Sequence, residues 1–478
     1  MEKDNGLYEL ICEYYESRIL FGIFRYGDQI SSVSQICASF RLGRNTVLAA
    51  LRKLEEKGYI VTEERKVARV AYRATEEVFR ENAAGYFLPR RDGILDFHSA
   101  RIQLFRPMWE AGLKNLGQGD EPHTGERQSL LRADTIPPSA KNFVDILRTF
   151  HNDLLLNLYW QSLRYINFFY RPRSGDQTCA EARELPVQGA LEERWQSFEY
   201  SYQKMQGEVL NFIDSYGKEH HLENIRQIPF KWTIYRRRPQ VRYTLASIII
   251  REILWGHFPV GAYLPSLPNL AKQYQVSEST VRRALDVLHA MGVTRPQMGI
   301  GTRVCLEPAD SDILARSEIR ENLRLHGEAL QILALTVRSV TRFTLESATT
   351  QKREELLGEI IKLESKTSGI LCVDVLLSFI SVECPSGMIR ECYGKLRELI
   401  AWGYLVSAVW MGAGQLNSDF HDTIAQLAAD LQGGDLDRFA AGWQSFIESR
   451  MNLFHSKFPF QERGQAGTAG PSGIEEKV

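Results

Sequence analysis

The plainest pattern in the chain is a helical apolar periodicity that breaks and resumes many times. Leu245, Ile248, Ile249 and Ile253 recur at three and four spacing and predict a helix. GHFPVGAYLPS, rich in glycine and proline, ends it. Leu267, Leu270, Ala271 and Tyr274 predict a short second helix. Ser277 is a good cap for a third, with Val281, Leu285 and Leu288 inward and Gly292 at its end. GVTRPQMGIGTRVCL then alternates around Gly299 and Gly301, as a two-stranded hairpin would. Three helices and a hairpin make a winged helix-turn-helix, whose third helix commonly enters a DNA major groove.

The same layout occurs earlier, displaced by 234 residues. Ile19 and Ile253, Gly22 and Gly256, Phe24 and Phe258, Thr46 and Thr280, Leu54 and Leu288, and Gly58 and Gly292 are identical at that offset, with no gap from residue 19 to 58. A module of about seventy residues is therefore duplicated.

Each copy precedes a long stretch of helical periodicity. The first contains ILDFHSARIQLFRPMWEAGL and FVDILRTFHNDLLLNLYWQSLRYINFFY. The second contains IRENLRLHGEALQILALTVRSVTRF and a run from LCVDVLLSFI to SRMNLF. These predict bundles. The expected fold class is mainly α: two winged helix-turn-helix domains (1–75 and 239–306), each followed by an all-helical bundle (76–238 and 307–462), with a disordered tail over 463–478.

Composition narrows the function. Net charge is −1 over 478 residues, so nucleic-acid contact must come from local patches. Residues 231–306 hold eleven cations against three acids, whereas residues 1–75 hold twelve against ten. The second copy is the better phosphate binder on that count. The seven cysteines are scattered and never spaced C-x-x-C, which fits a reducing compartment. MEKDNGLYEL lacks a secretory apolar core, and TLASIIIREILWGHF is interrupted by Arg251 and Glu252, so a cytoplasmic protein without a membrane partner is expected. No G-x-S-x-G, P-loop, H-E-x-x-H or dinucleotide loop is present, and no enzyme is expected.

The second copy resembles the DNA-binding domain of GntR-type bacterial transcription regulators. The resemblance rests on I-x-x-G-x-F-x-x-G-x-x-L-P-S, V-S-x-S-T-V-R-R-A-L-x-x-L and G-x-G-T in the wing. The first copy resembles it less closely over residues 7–72. The resemblance implies double-stranded DNA as partner, and an arginine just after the cap of the third helix with another after the T-V pair. The first copy keeps Arg44 but has Leu48 at the second place; the second has Glu278 at the first and keeps Arg282. Candidate contacts are Arg44, Asn45 and Thr46 in the first copy. In the second they are Ser266, Ser277, Ser279, Thr280, Arg282, Arg283, Gly299, Gly301 and Thr302. The Arg236–Arg238 run is a phosphate contact or a solvated linker end.

The last bundle resembles the ligand-sensing domain of the FCD subgroup. That implies a divalent metal held by an aspartate, a histidine four residues later and two further histidines, and through it a carboxylate-like small-molecule effector. Asp374 and His421 fall at two of these positions, but Ser378 and Phe446 occupy the others, so no metal or cofactor is expected. In the first bundle His151 follows a phenylalanine as the subgroup's histidine does, with Leu147 in the aspartate's place. Its aromatics Trp160, Tyr165, Phe168, Phe169 and Tyr170 are core or pocket lining. The reading is a transcription regulator whose two halves pair as an internal pseudo-dimer, or whose chains form a homodimer. The alternative is a scaffold whose winged helices dock protein without reading DNA.

Overall fold

A computed structural model of the chain describes residues 7–40, 43–63, 66–116, 138–167, 191–222, 224–234, 241–306, 317–364, 371–410 and 412–458. Arg236–Arg238, Phe168–Tyr170 and the tail at 463–478 lie outside the described residues.

The first head comprises α1 (Leu7–Leu20), α2 (Val33–Phe40) and α3 (Arg44–Glu56), then β1 (Ile60–Val61) and β2 (Arg69–Val70). Ser32 and Gln35 form a reciprocal cap before α2: the Gln35 amide donates to Ser32 Oγ at 3.3 Å and the Ser32 amide to Gln35 Oε1 at 2.9 Å. Val47, Ala50, Leu51 and Leu54 of α3 are buried at helical spacing.

The following bundle begins with α4 (Glu76–Phe87), capped by Thr75, and bends through a 3₁₀ turn into α5 (Arg91–Ala100). A π-helical turn, Arg101–Phe105, joins α5 to α6 (Arg106–Asn115) without a break. Arg101 lies in that turn, 2% exposed, paired with Glu199 and 4.2 Å above the Tyr202 ring. Next come α7 (Pro138–Arg148), α8 (Asp153–Tyr165) and α9 (Leu191–Glu219). The stretch FVDILRTFH…INFFY is divided at His151, which takes a left-handed φ of 49°, with no glycine or proline to announce it.

The second head repeats the first with α10 (Val241–Leu254), α11 (Leu267–Tyr274), α12 (Glu278–Ala290), β3 (Thr294–Gln297) and β4 (Gly301–Val304). Even the hairpin register is shared. Ile60 faces Val70 and Val61 faces Arg69 in the first wing; Thr294 faces Val304 and Arg295 faces Arg303 in the second. In both, the same arginine ties the wing to the head: Arg69 Nη1 donates to Gly27 O and Arg303 Nε to Gly261 O, each at 3.1 Å.

The second bundle contains α13 (Ser317–Ser347), α14 (Thr350–Glu364), α15 (Cys372–Glu383), α16 (Gly387–Trp410), α17 (Gly412–Gln432) and α18 (Leu436–Lys457). Helix α10 packs on α12 with one face and on α16 with the other, which is why TLASIIIREIL is apolar nearly all round. Buried His326 fills the space beside Gly403, where a Cβ would lie 2.1 Å from the ring. Burial pushes its pKa down to about 4, so it is a neutral core group at physiological pH.

The two halves pack on each other. Helix α13 lies against the π turn, α6 and α8, and α16 against α5. Each half finishes a helix start of the other. Asp96 Oδ2, from α5, accepts from the Met388 amide at the head of α16 (2.7 Å); Glu328 Oε2, from α13, accepts from the Leu154 amide at the head of α8 (3.0 Å). Buried Asn152 adds a bond to Glu328 O at 3.0 Å, and Trp232 donates to Asn157 while its amide donates to Glu391 of α16.

Candidate nucleic-acid interface

In the second head α12 buries Val281, Ala284, Leu285 and Leu288 and turns Ser279, Arg282, Arg283 and Asp286 to solvent. Arg282 and Arg283 are exposed and make no hydrogen bond or ion pair among the described residues. Ser277 is the cap: the Thr280 amide donates to its Oγ at 3.2 Å, and the hydroxyls of Ser279 and Thr280 each lie 2.9 Å from it. Ser277 is thus committed to the helix start, whereas Ser279 and Thr280 sit beside the free first-turn amides that favour an anion. Exposed Ser266 precedes α11 and makes no side-chain cap bond. Ser32, its counterpart, is spent on its own cap.

In the first head the outer face of the third helix carries different residues. Arg44 and Asn45 open α3 in solvent, Thr46 is half-buried, and Leu48 and Ala49 stand where the second head has its arginine pair. The two helices have the same inner face and different outer ones.

In the second wing Gly299 and Gly301 have φ of 75° and 143°. A Cβ on Gly299 would meet nothing within 4 Å, so this glycine serves the backbone conformation rather than space. Thr302 is half-buried opposite Pro296.

The charge count overstates the basic surface of the second head. Arg251 points inward to the bundle, and Lys231 pairs with Glu391 at 3.1 Å. Sequence reasoning also took Asp374 for a possible metal ligand. It is fully buried, and Arg397 grips it with two bonds of 2.7 and 2.8 Å. Trp255 Nε1 donates to it at 3.2 Å and Arg251 Nε lies at 3.9 Å. Burial lowers the Arg251 pKa against the pull of Asp374; for Arg397 burial also pulls down, but the hydrogen bonds and the charge of Asp374 together outweigh it and raise the pKa. His421 is exposed on α17, and among the described residues no group of three His, Cys, Asp or Glu could hold a metal.

This arrangement, twice over, is the winged helix-turn-helix class. The profile of the family described as bacterial regulatory proteins, gntR family, matches residues 7–70 and 243–304, so the chain carries two GntR-family domains. It is 32% identical over 86 residues to the probable transcriptional regulator PhnF of Escherichia coli (strain K12), over 18% of this chain and 36% of that protein. It is 40% identical over 62 residues to the uncharacterized HTH-type transcriptional regulator YieP of the same strain, over 13% and 27%. The chain thus spans only about a third of the length of these curated relatives. A solved structure, a transcriptional regulator GntR from Rhodococcus sp. RHA1, is 16% identical, covering 46% of this chain and 99% of that one with a TM-score of 0.27, too loose to bear on function. Among the described residues no helix is long and apolar enough to cross a membrane.

Proposed function

We propose that the chain is a cytoplasmic DNA-binding transcription regulator in which one chain supplies both reading heads. The observation that carries this reading is the unpaired, exposed Arg282–Arg283 pair on the outer face of α12, beside a glycine-tipped wing. Both curated relatives are transcriptional regulators by name. In the second head Arg282, Arg283, Ser279 and Thr280 read or hold the major groove, Ser266 takes a phosphate, and Gly299, Gly301 and Thr302 bring the wing backbone close. In the first head Arg44, Asn45 and Thr46 do the reading. The unlike outer faces favour an operator with unlike halves, and the reciprocal capping between bundles favours an internal pseudo-dimer over a homodimer.

Selection of bound duplexes from a random DNA pool by the full-length protein tests the reading. A two-part site with unlike halves is the expected product. Absence of any enrichment would sink it in favour of a protein-docking scaffold.

A small effector has room in a cleft of about 990 Å³ between the halves, walled by α6 on one side and by α13 and α18 on the other. There Arg338 and Arg342 share Asp437, at 3.0 and 3.4 Å. A carboxylate ligand would compete with Asp437 for them, and at Arg342 also with Glu346 at 2.7 Å, and bias the spacing of the heads. A melting screen against small mono- and dicarboxylates should find stabilisation that Arg338→Ala with Arg342→Ala removes; stabilisation surviving in that variant would place the effector elsewhere.

A further inference from the structure

Two side chains of the second wing take no part in the reading face described above. Met298 is fully exposed and Ile300 is 69% exposed, on either side of Gly299 in the turn between β3 and β4. Single exposed hydrophobics are ordinary on a protein surface. Two on one three-residue turn make the tip of the hairpin apolar, and that tip is firmly carried. Four residue pairs form the ladder behind it, the Ile300 amide donates to Gln297 O at 3.1 Å, and the Tyr263 hydroxyl donates to Gln297 Oε1. With no side chain at Gly299 the tip is narrow. Exposed Arg295 and Arg303 flank its base, opposite each other in the ladder. An apolar point on a cationic stem is complementary to a groove with phosphates at its rims and stacked bases at its floor.

The first wing is different at the same register. Glu64, Arg65 and Lys66 stand where the second has Met298, Gly299 and Ile300, and Glu63 is paired with Lys66. That sequence offers no apolar side chain to insert between base steps.

We propose that Met298 and Ile300 form a wedge that enters the minor groove beside the half-site read by the second head, opens one base step and bends the duplex there, while the first wing makes no kink. The proposal rests on the reading that the second head binds DNA. Its chemistry is that of apolar side chains inserted between base steps, which bend DNA by tens of degrees.

The test uses the full-length protein and the duplex recovered from the random-pool selection, with a mixed-sequence duplex of the same length as control. End labels report the bend by energy transfer, and 2-aminopurine placed step by step reports unstacking. Wild type should shorten the end-to-end distance and brighten 2-aminopurine at one step of one half-site only. Met298→Ser with Ile300→Ser should keep the wild-type melting temperature, since both positions are in solvent. It should lose the bend and the unstacking signal and bind about 3- to 30-fold more weakly. Wild type that binds without bending, or a variant that bends as wild type does, overturns the wedge and leaves DNA reading intact. No binding to either duplex overturns both. A variant with unchanged DNA behaviour but altered self-association in sedimentation would make the tip a protein contact and likewise overturn the wedge.

Discussion

Asp374→Asn is expected to cost about 3–5 kcal/mol, the usual penalty for removing one partner of a buried ion pair. Asparagine fits the space, so packing is not the cause. The cause is charge: Arg397 and Arg251 would remain in a largely buried site with no carboxylate. Arg251 belongs to α10 of the second head, whereas Asp374 and Arg397 belong to α15 and α16 of the bundle beneath it. The node therefore fastens head to bundle. Thermal unfolding of the variant should show the second half melting earlier, with the first half little changed, so a two-state fit of the whole chain is not the right measure. Replacing the node by leucine at 374 and methionine at 251 and 397 should recover most of the loss, because an apolar substitute of similar volume removes the unpaired charges. A loss below about 1 kcal/mol in Asp374→Asn would mean that the site is wet and the node weak. The first head does not repeat these residues. At the same offset Arg251 and Trp255 become Ser17 and Phe21, and Phe21 instead packs on Tyr86 and Phe87 at 5.7 Å.

Arg282→Ala with Arg283→Ala should leave stability unchanged and weaken DNA binding by about 10- to 1,000-fold at moderate salt, on the basis of about 1–3 kcal/mol for each base-reading contact and somewhat less for each phosphate. Stability is spared because both side chains are in solvent and alanine is the better helix former. The two roles separate by salt. If both hold phosphates, the slope of log K against log salt should fall by nearly 2. If one reads a base, the slope falls by about 1 and the variant tolerates substitution at one operator position. Equal binding by variant and wild type would remove this pair from the interface. Arg44→Ala should have its effect on the other half-site alone.

The heads were legible in the sequence because each depends on local signals. The bounds of α11, the Ser277 cap and the hairpin around Gly299 all follow from spacing, capping and turn chemistry within a few residues. The pairing of the halves was not, because it is built from single polar atoms far apart in the chain, such as Asp96 with Met388 and Glu328 with Leu154. Asp374 shows the same limit at the site. The resemblance singled out Asp374, but Arg397 and, 123 residues away in the chain, Arg251 are what it meets. Helix α9 escaped notice although Trp195, Phe198, Tyr202, Val209, Ile213 and Tyr216 line its buried side, because charged and polar residues fill the positions between. Met298 and Ile300 escaped it for a different reason. Alternation reads them as strand positions, and only the three-dimensional turn shows that both face water.

The claim that one chain carries both heads is tested most directly by the stoichiometry of the complex. Sedimentation of the full-length protein on its selected duplex, at concentrations well above the dissociation constant, should give one chain per duplex, and a duplex carrying either half-site alone should bind more weakly. Two chains per duplex, on a palindrome of the second head's half-site, would contradict it.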